Sequence, residues 1–447
     1  MNAQELKQKT YELVEGFSPT EIALAKDVTQ HRIALAFKER YKDAVRFNAS
    51  RNEWLTWNGK YWQYDTTQIV VEYARSLSAA LGGKRSETFH FIKGVQGLAA
   101  TDQRLVVVDP FLDKDHFLLN TVDGTYDLRT GQMRPHDPQD MITNIAGYKV
   151  GDGYGFRFPQ FLREITMGNQ ELEDFLQVSL GACLSGGRGD HWFLFWYGQG
   201  ANGKSTLAEL VYRVMGSYAK KINSSMLMAK KHDSHPTEIA HLQGCRLALA
   251  SEVDTNARWN ESRLKELTGD GVLNARYMYG NDFNFVAGFK MLILGNHRPQ
   301  LTSIDEAIRR RFKITPFNSD FSNRQDNSLS ETLDREGEHV LRWLLDGHLK
   351  WYQAGRKLPK CDAIERELED FLSSQSTVKN WVDECLTITN GDKRTAGRDL
   401  FNHFKEWKEG RGEYAGTETN FGTQLKKLIG WQKLGKVYYW AIINRQI

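Results

Sequence analysis

Gly198-Gln199-Gly200-Ala201-Asn202-Gly203-Lys204-Ser205 carries the spacing GxxxxGK[ST], and its residue types suit one task, the grip of a nucleoside triphosphate. Glycines let the backbone curl so that successive N–H groups point at phosphate oxygens. A helix starting near Lys204 adds the positive end of its dipole to the same charge. Lys204 would neutralise the β- and γ-phosphates, and the Ser205 hydroxyl would ligate Mg2+. The expected nucleotide contacts are therefore Gly198, Gly200, Ala201, Asn202, Gly203, Lys204, Ser205 and Thr206, with ATP and Mg2+ as the ligands.

Hydrolysis needs more than this cradle. An acidic residue at the end of a neighbouring strand must hold Mg2+ and polarise water. The run RLALA ends at Ser251-Glu252, so Glu252 is the expected catalytic carboxylate and, with Ser205, the expected metal ligand; the plainer reading is a strand-end glutamate facing solvent. MLILG ends at Asn296, whose amide would sit beside the γ-phosphate and the attacking water. The alternative is an Asn-initiated turn before Pro299. Third, Arg309, Arg310 and Arg311 precede a strand-like segment. In an NTPase that works between subunits, one such arginine stabilises transition-state charge on a neighbour's nucleotide; Arg310 and Arg311 are the candidates. A charge run is otherwise a solvated basic face.

These residues need elements to hold them. The apolar run WFLFWY enters the glycine-rich loop, and STLAELVYRVM leaves it with Leu207, Leu210 and Val214 on one helical face. Buried strands alternating with helices predict an α/β domain with a parallel sheet over residues 186–320. Residues 1–45 read as a helical segment, with Leu6, Leu13, Ala23, Ala34 and Phe37 as core positions. Residues 46–185 read as an α+β accessory domain: WLTWNGKYWQYD as a hairpin turning at Asn58-Gly59, a helix over Thr67 to Leu81, a second hairpin or meander with turns at Asp123-Gly124 and Thr130-Gly131, then helical periodicity from 158 to 185. Residues 321–372 read as a helical linker. Residues 373–447 read as helix, helix, then the hairpin WQKLGKVYYWAII turning at Leu434-Gly435, the order of a winged helix.

Bulk properties narrow the class. At 447 residues the chain is long enough for about three domains. Its net charge of +3 supplies no global basic field, so any nucleic-acid surface must be local. Cys183, Cys245, Cys361 and Cys385 lie too far apart for a CxxC zinc pair or a secreted disulfide framework, and read as reduced core thiols. No apolar run reaches the ~18 residues that span a bilayer, and the N-terminus lacks a signal core; the expectation is a cytoplasmic protein with no membrane partner. Asp113-Lys114-Asp115-His116 reads as a charged loop, because no second acidic-histidine cluster accompanies it.

GQGANGKST, ALASE, LKELTGDGVLNAR, LILGNHRP and AIRRRFKITPF, in that order, resemble the successive motifs of superfamily 3 helicases of the phage/plasmid primase-helicase group, which includes poxvirus-type NTPases. LLNTVDGTYDLRTGQMRPHDP resembles the accessory domain that precedes the ATPase core there. The resemblance covers about residues 40–445 and implies an AAA+-like core, an ATP-driven hexameric ring and translocation on single-stranded DNA or a forked duplex. It implies that Lys265, Thr268, Gly269, Asp270 and Arg276 belong to one motif, leading into a pore hairpin that runs from Arg276 to Phe285. Many members carry two adjacent acids where this chain has Ser251-Glu252, which shifts magnesium onto Ser205, Glu252 and water. Some relatives have basic hairpin tips; here Arg276, Tyr279 and Asn281, with Lys290 further along, are the expected DNA contacts. The N-terminal part is too short for a primase domain as well, so a primase or polymerase would be a separate partner. In the winged-helix reading Lys426 and Lys427 contact phosphates, while Trp407, Phe421, Trp431 and Trp440 are core. Two other readings remain: an ATP-dependent origin-binding initiator or NTPase switch without unwinding, and a defence or signalling NTPase that acts on another protein.

Overall fold

A computed structural model describes residues 29–187, 189, 191–228, 236–251, 259–269, 271–278, 280–298, 306–324, 326–374, 377–389, 393–411, 415–434 and 436–444. The expected core positions Leu6, Leu13 and Ala23 lie outside them.

The N-terminal unit opens with helix α1 (Gln30–Tyr41), capped by Thr29, whose hydroxyl accepts from the Arg32 backbone N–H. Strands β1 (Val45–Asn48), β2 (Glu53–Trp57) and β3 (Trp62–Tyr64), helices α2 (Ile69–Gly82) and α3 (Phe89–Ala99), and strand β4 (Val106–Val107) follow. The sheet order is β3-β2-β1-β4, with β4 parallel to β1. The three helices pack through Phe37, Tyr41, Val70, Tyr73, Ala74, Leu77, Ile92 and Val95. The β2–β3 hairpin is present, but its register pairs Trp57 with Trp62, so its loop holds Asn58 to Tyr61 rather than two residues. Asn58 Oδ1 closes that loop by accepting from the Lys60 and Tyr61 N–H groups, 3.0 Å each.

The meander forms as β5 (Leu118–Asn120), β6 (Thr125–Asp127) and β7 (Gln132–Arg134). The helical stretch beyond it divides into α4 (Arg157–Thr166) and α5 (Gln170–Ala182), because Met167 and Gly168 both take left-handed backbone.

The centre of the molecule is a parallel sheet of β8 (Phe193–Tyr197), β9 (Ala219–Asn223), β10 (Leu247–Ser251), β13 (Lys290–Gly295) and β14 (Phe312–Pro316) in the order β14-β8-β13-β10-β9. Both faces are covered, which explains why β8 and the run Met291 to Leu294 of β13 are apolar at successive positions. Leu194, Trp196, Leu247, Leu249, Leu292 and Leu294 face one core, with α4, α5, α6 (Lys204–Met215) and the later helix α11 (Gly337–Gln353). Phe193, Phe195, Ala248, Ala250, Met291 and Ile293 face the other. That second core also takes α7 (Pro236–Ala240), α8 (Glu261–Leu267), the hairpin strands β11 (Val272–Arg276) and β12 (Asp282–Val286), the short helix α9 (Glu306–Arg311) and Phe371 of α12 (Asp362–Ser374). Between α9 and α11 lies α10 (Leu329–Arg335). The first core runs from Leu119 to Ile364, across residue 185, where sequence pattern divides the chain.

The last unit comprises α13 (Thr377–Cys385), β15 (Leu386–Ile388), β16 (Thr395–Ala396), α14 (Gly397–Glu409), α15 (Glu418–Leu428), β17 (Trp431–Leu434), β18 (Lys436–Tyr439) and β19 (Ala441–Ile443). Trp381, Phe404, Trp407 and Phe421 form its core. The expected terminal hairpin is three strands: β17 pairs with β18, while β19 leaves to pair with β15. Among the described residues no helix is long and apolar enough to cross a membrane. All four cysteines are free and buried.

Candidate nucleotide site

The glycine-rich loop sits where a ligand site is expected in an open parallel sheet. β8 is flanked by β13 and β14, whereas its sequence successor β9 lies at the far edge. The strand order therefore reverses at β8, and in open parallel sheets ligands bind beyond the carboxyl ends of the strands at such a point. The loop bridges β8 and α6 there.

Its backbone takes left-handed conformations at three positions. Gly200, Ala201 and Gly203 all have positive φ, at 101°, 45° and 82°, left-handed conformations of the kind used in anion-binding backbone nests. Two glycines are also demanded by packing. A Cβ on Gly203 would lie 2.4 Å from Ile165 Cγ2, and one on Gly198 would lie 2.2 Å from Asn202 Nδ2 and 2.3 Å from the Phe317 carbonyl oxygen. The loop is pinned from β14's side: Asn202 Nδ2 donates to Phe317 O at 3.1 Å, and the Phe321 N–H donates to Ala201 O at 2.7 Å. Sequence reading missed Phe317 and Phe321, because backbone partners leave no side-chain signal.

Lys204 is 4% exposed. Its Nζ donates to Asn296 Oδ1 at 2.7 Å, to Gly198 O at 3.0 Å and to Asn202 Oδ1 at 3.5 Å. Burial pulls its amine below the usual lysine range. Strand-end Asn296, expected beside the γ-phosphate, and the loop lysine lie together across adjacent strands β8 and β13. An ammonium held, among the described residues, by neutral acceptors suits an incoming polyanion, which would replace those acceptors and restore the favoured charge. Ser205 and Asn296 are exposed, and Thr206 is half-buried. Glu252 lies outside the described residues, directly after β10.

The arginine run divides by environment. Arg309 pairs with Glu369. Arg311 is buried, with Nη1 donating to Ala307 O at 3.1 Å within its own helix. Arg310 is exposed.

The hairpin expected after the LKELTGDG segment is formed by β11 and β12, with Arg276 opposite Asp282. Leu273 and Ala275 are buried while Val272, Asn274 and Arg276 are exposed, the alternation of a half-covered ribbon. Arg276 Nε donates to Gly280 O at 3.0 Å, and Asn281 is exposed. Tyr279 and Asp270 lie outside the described residues. Lys265 is half-buried on α8, and buried Thr268 Oγ1 caps that helix by donating to Leu264 O at 2.6 Å.

Lys290 corrects the sequence expectation. It is 2% exposed, its Nζ donates to Ser185 O at 3.3 Å, and its ammonium lies 5.4 Å from the Trp351 ring centroid. A long side chain at a strand start folded inward to a carbonyl and an aromatic face, so it offers nothing to DNA. Trp431 is a second correction: at 43% exposed it is not core, and Lys426 Nζ lies 4.6 Å from its ring centroid. Lys426 is exposed, and Lys427 falls within α15. In the Asp113–His116 loop, Asp115 accepts from Arg129 at 2.6 and 2.7 Å, and Asp113 Oδ1 accepts from the Thr143 N–H at 2.9 Å.

Residues 34–166 match the family model described as D5 N terminal like, and residues 196–311 match a family of unknown function, DUF5906. The chain is 26% identical over 322 residues to "Putative helicase L207/L206" of Acanthamoeba polyphaga mimivirus, covering 66% of this chain and 33% of that protein. It is 31% identical over 204 residues to "Putative helicase 022R" of Frog virus 3, covering 44% and 20%. The matches support kinship with the helicases and primases of large DNA viruses. The chain spans a third or less of the length of these relatives. Its mixed α/β fold is similar to the apo structure of the NrS-1 C terminal region, with a TM-score of 0.50, 10% identity, and coverage of 94% of this chain and 100% of that one.

Proposed function

We propose that this chain is the ATP-hydrolysing motor of a viral or phage-type DNA-replication helicase, working as a ring on single-stranded DNA. The observation that carries the reading is the 2.7 Å contact between buried Lys204 and Asn296, at the reversal point of the parallel sheet and under a loop with three positive φ angles. Fold-level likeness alone would not carry a function. Relatives named for helicase and primase roles support the placement in DNA replication.

In this reading residues 198–206 and the α6 N-terminus bind the triphosphate, and Lys204 exchanges Asn296 and Gly198 for phosphate oxygens. Asn296, released from Lys204, orients the attacking water beside the γ-phosphate. Ser205 and Glu252 would hold Mg2+, which neutralises phosphate charge when bound. Exposed Arg310, rather than buried Arg311, reaches a neighbour's nucleotide, so hydrolysis requires assembly into a ring, proposed to be hexameric. The β11–β12 hairpin, through Arg276, Tyr279 and Asn281, contacts DNA in the pore. The unit from α13 onward serves as a winged helix, with Lys426 and Lys427 on phosphates.

The test is strand separation. Purified protein with ATP and Mg2+ should unwind a forked duplex, and Lys204→Ala should abolish this while the circular-dichroism spectrum is kept. Hydrolysis that ignores single-stranded DNA, with no unwinding, would replace the helicase reading with an NTPase switch.

A further inference from the structure

Arg51, in the turn between β1 and β2, lies in a network that joins the N-terminal unit to the hairpin. Its guanidinium carbon is 4.9 Å from the Tyr64 ring centroid and 4.8 Å from that of Tyr277. Its Nε donates to both Asp109 carboxylate oxygens at 3.2 Å, and its Nη2 donates to Gln243 Oε1 at 2.9 Å. Gln243 returns the link by donating to Asp109 Oδ2 at 2.9 Å, and Tyr277 Oη donates to the same Gln243 Oε1 at 2.6 Å. Asn48 completes the set, its Nδ2 donating to Asp109 Oδ1 at 2.6 Å and to Tyr64 Oη at 3.1 Å. The Arg51 side chain is 23% exposed and that of Asp109 11%, so the pair is largely shielded from screening.

Three parts of the chain meet here. Asn48, Arg51, Tyr64 and Asp109 belong to the N-terminal unit. Gln243 lies in the turn that feeds β10, the strand leading to Glu252. Tyr277 is the first residue of the hairpin tip, and its ring stacks on Phe283 of β12 at 4.8 Å and 15°. Just beyond it Met278 is 72% exposed and Asn281 is exposed. The network therefore grips the root of the tip and leaves its outer residues projecting. Only an arginine meets both demands, a flat cation against rings and several directed donors.

We propose that Arg51 and Gln243 form a latch by which the N-terminal unit holds Tyr277 and so positions the hairpin tip for DNA; this rests on the reading of the hairpin as a DNA-contacting element. Arg51 is a positioning residue, not a catalytic one.

The experiment compares the full chain with Arg51→Ala, Arg51→Lys, Tyr277→Phe and the double variant Arg51→Ala/Tyr277→Phe. Two readouts are taken: the concentration of oligo(dT) giving half-maximal stimulation of ATP hydrolysis, and amide hydrogen exchange over residues 272–286. Arg51→Ala should raise the half-maximal concentration roughly tenfold, the size of a desolvated cation–π contact plus its hydrogen bonds. Arg51→Lys should recover only part of this. Hydrolysis without DNA should stay at the native rate, exchange should quicken in the hairpin, and the double variant should be no worse than Arg51→Ala. Strictly additive effects, or hairpin exchange unchanged in a folded Arg51→Ala protein, would overturn the latch. A native chain indifferent to oligo(dT) would instead remove the DNA reading; quickened exchange in Arg51→Ala would then still support the latch, and unchanged exchange would reject it.

Discussion

Removing the Asn296 amide should slow hydrolysis without weakening nucleotide binding. Asn296 Oδ1 accepts from Lys204 Nζ at 2.7 Å. A hydrogen bond to a charged group contributes about 1.5–3 kcal/mol, and the exposure of Asn296 favours the lower end. That bond competes with phosphate for the ammonium, so Asn296→Ala leaves Lys204 freer to bind nucleotide. On the proposed mechanism the amide would face the γ-phosphate and water in the transition state, and loss of one preorganised group there costs roughly 100-fold in kcat. The expected outcome is a kcat about two orders of magnitude lower with an unchanged or smaller Kd. Asn296→Asp should do the opposite to binding, because a carboxylate would hold the ammonium and repel the triphosphate. Steady-state phosphate release and titration with a fluorescent ATP analogue measure the two quantities. A preserved kcat with a Kd raised more than about tenfold in Asn296→Ala would refute the role drawn from the geometry.

Gly203→Ala should destabilise the fold by about 2–4 kcal/mol, from left-handed backbone at φ 82° and a Cβ 2.4 Å from Ile165; urea unfolding checks this, and a neutral result would mean the loop rearranges freely. His348 is fully buried, and desolvation pushes its imidazole down to about 3 from an ordinary 6.5. The unfolded chain therefore binds the extra proton between those values, so stability falls as pH drops below about 6.5, by about 2 kcal/mol at pH 5. His348→Phe should flatten that part of the stability–pH curve; an unchanged slope would assign it elsewhere. Arg310→Ala should lose hydrolysis while keeping nucleotide binding, and mixing it with Glu252→Gln protein should restore activity in part. No recovery at any mixing ratio would place each site within one subunit.

Much of the central sheet is legible in the chain. WFLFWY, LALA (247–250) and MLIL (291–294) are apolar at consecutive positions, and the two cores on either side of the sheet explain why no alternation is needed. The Lys204–Asn296 hydrogen bond is not legible in the sequence, which assigns the two residues separately to the triphosphate; it follows from the loop after β8 and the end of the adjacent strand β13 lying side by side. Other features were hidden by physics that acts between distant residues. Helix α3 carries Gly94 and Gly97, weak helix formers whose cost is offset by packing on α1 and α2. Lys290 looked like a surface cation, yet a carbonyl and an aromatic ring accept it inside. Trp431 looked like core, yet it stays open under Lys426. Arg51 carried no motif at all; its partners Asp109, Gln243 and Tyr277 are far away in the chain and meet only in the fold.

The most direct test is particle imaging of the full chain with a non-hydrolysable ATP analogue, Mg2+ and a forked duplex. A closed ring is predicted, with nucleotide against residues 198–206, the partner subunit's Arg310 directed at its γ-phosphate, and single-stranded DNA threaded past the β11–β12 tips. Isolated monomers with bound nucleotide, or rings with DNA only on the outside, would contradict the account.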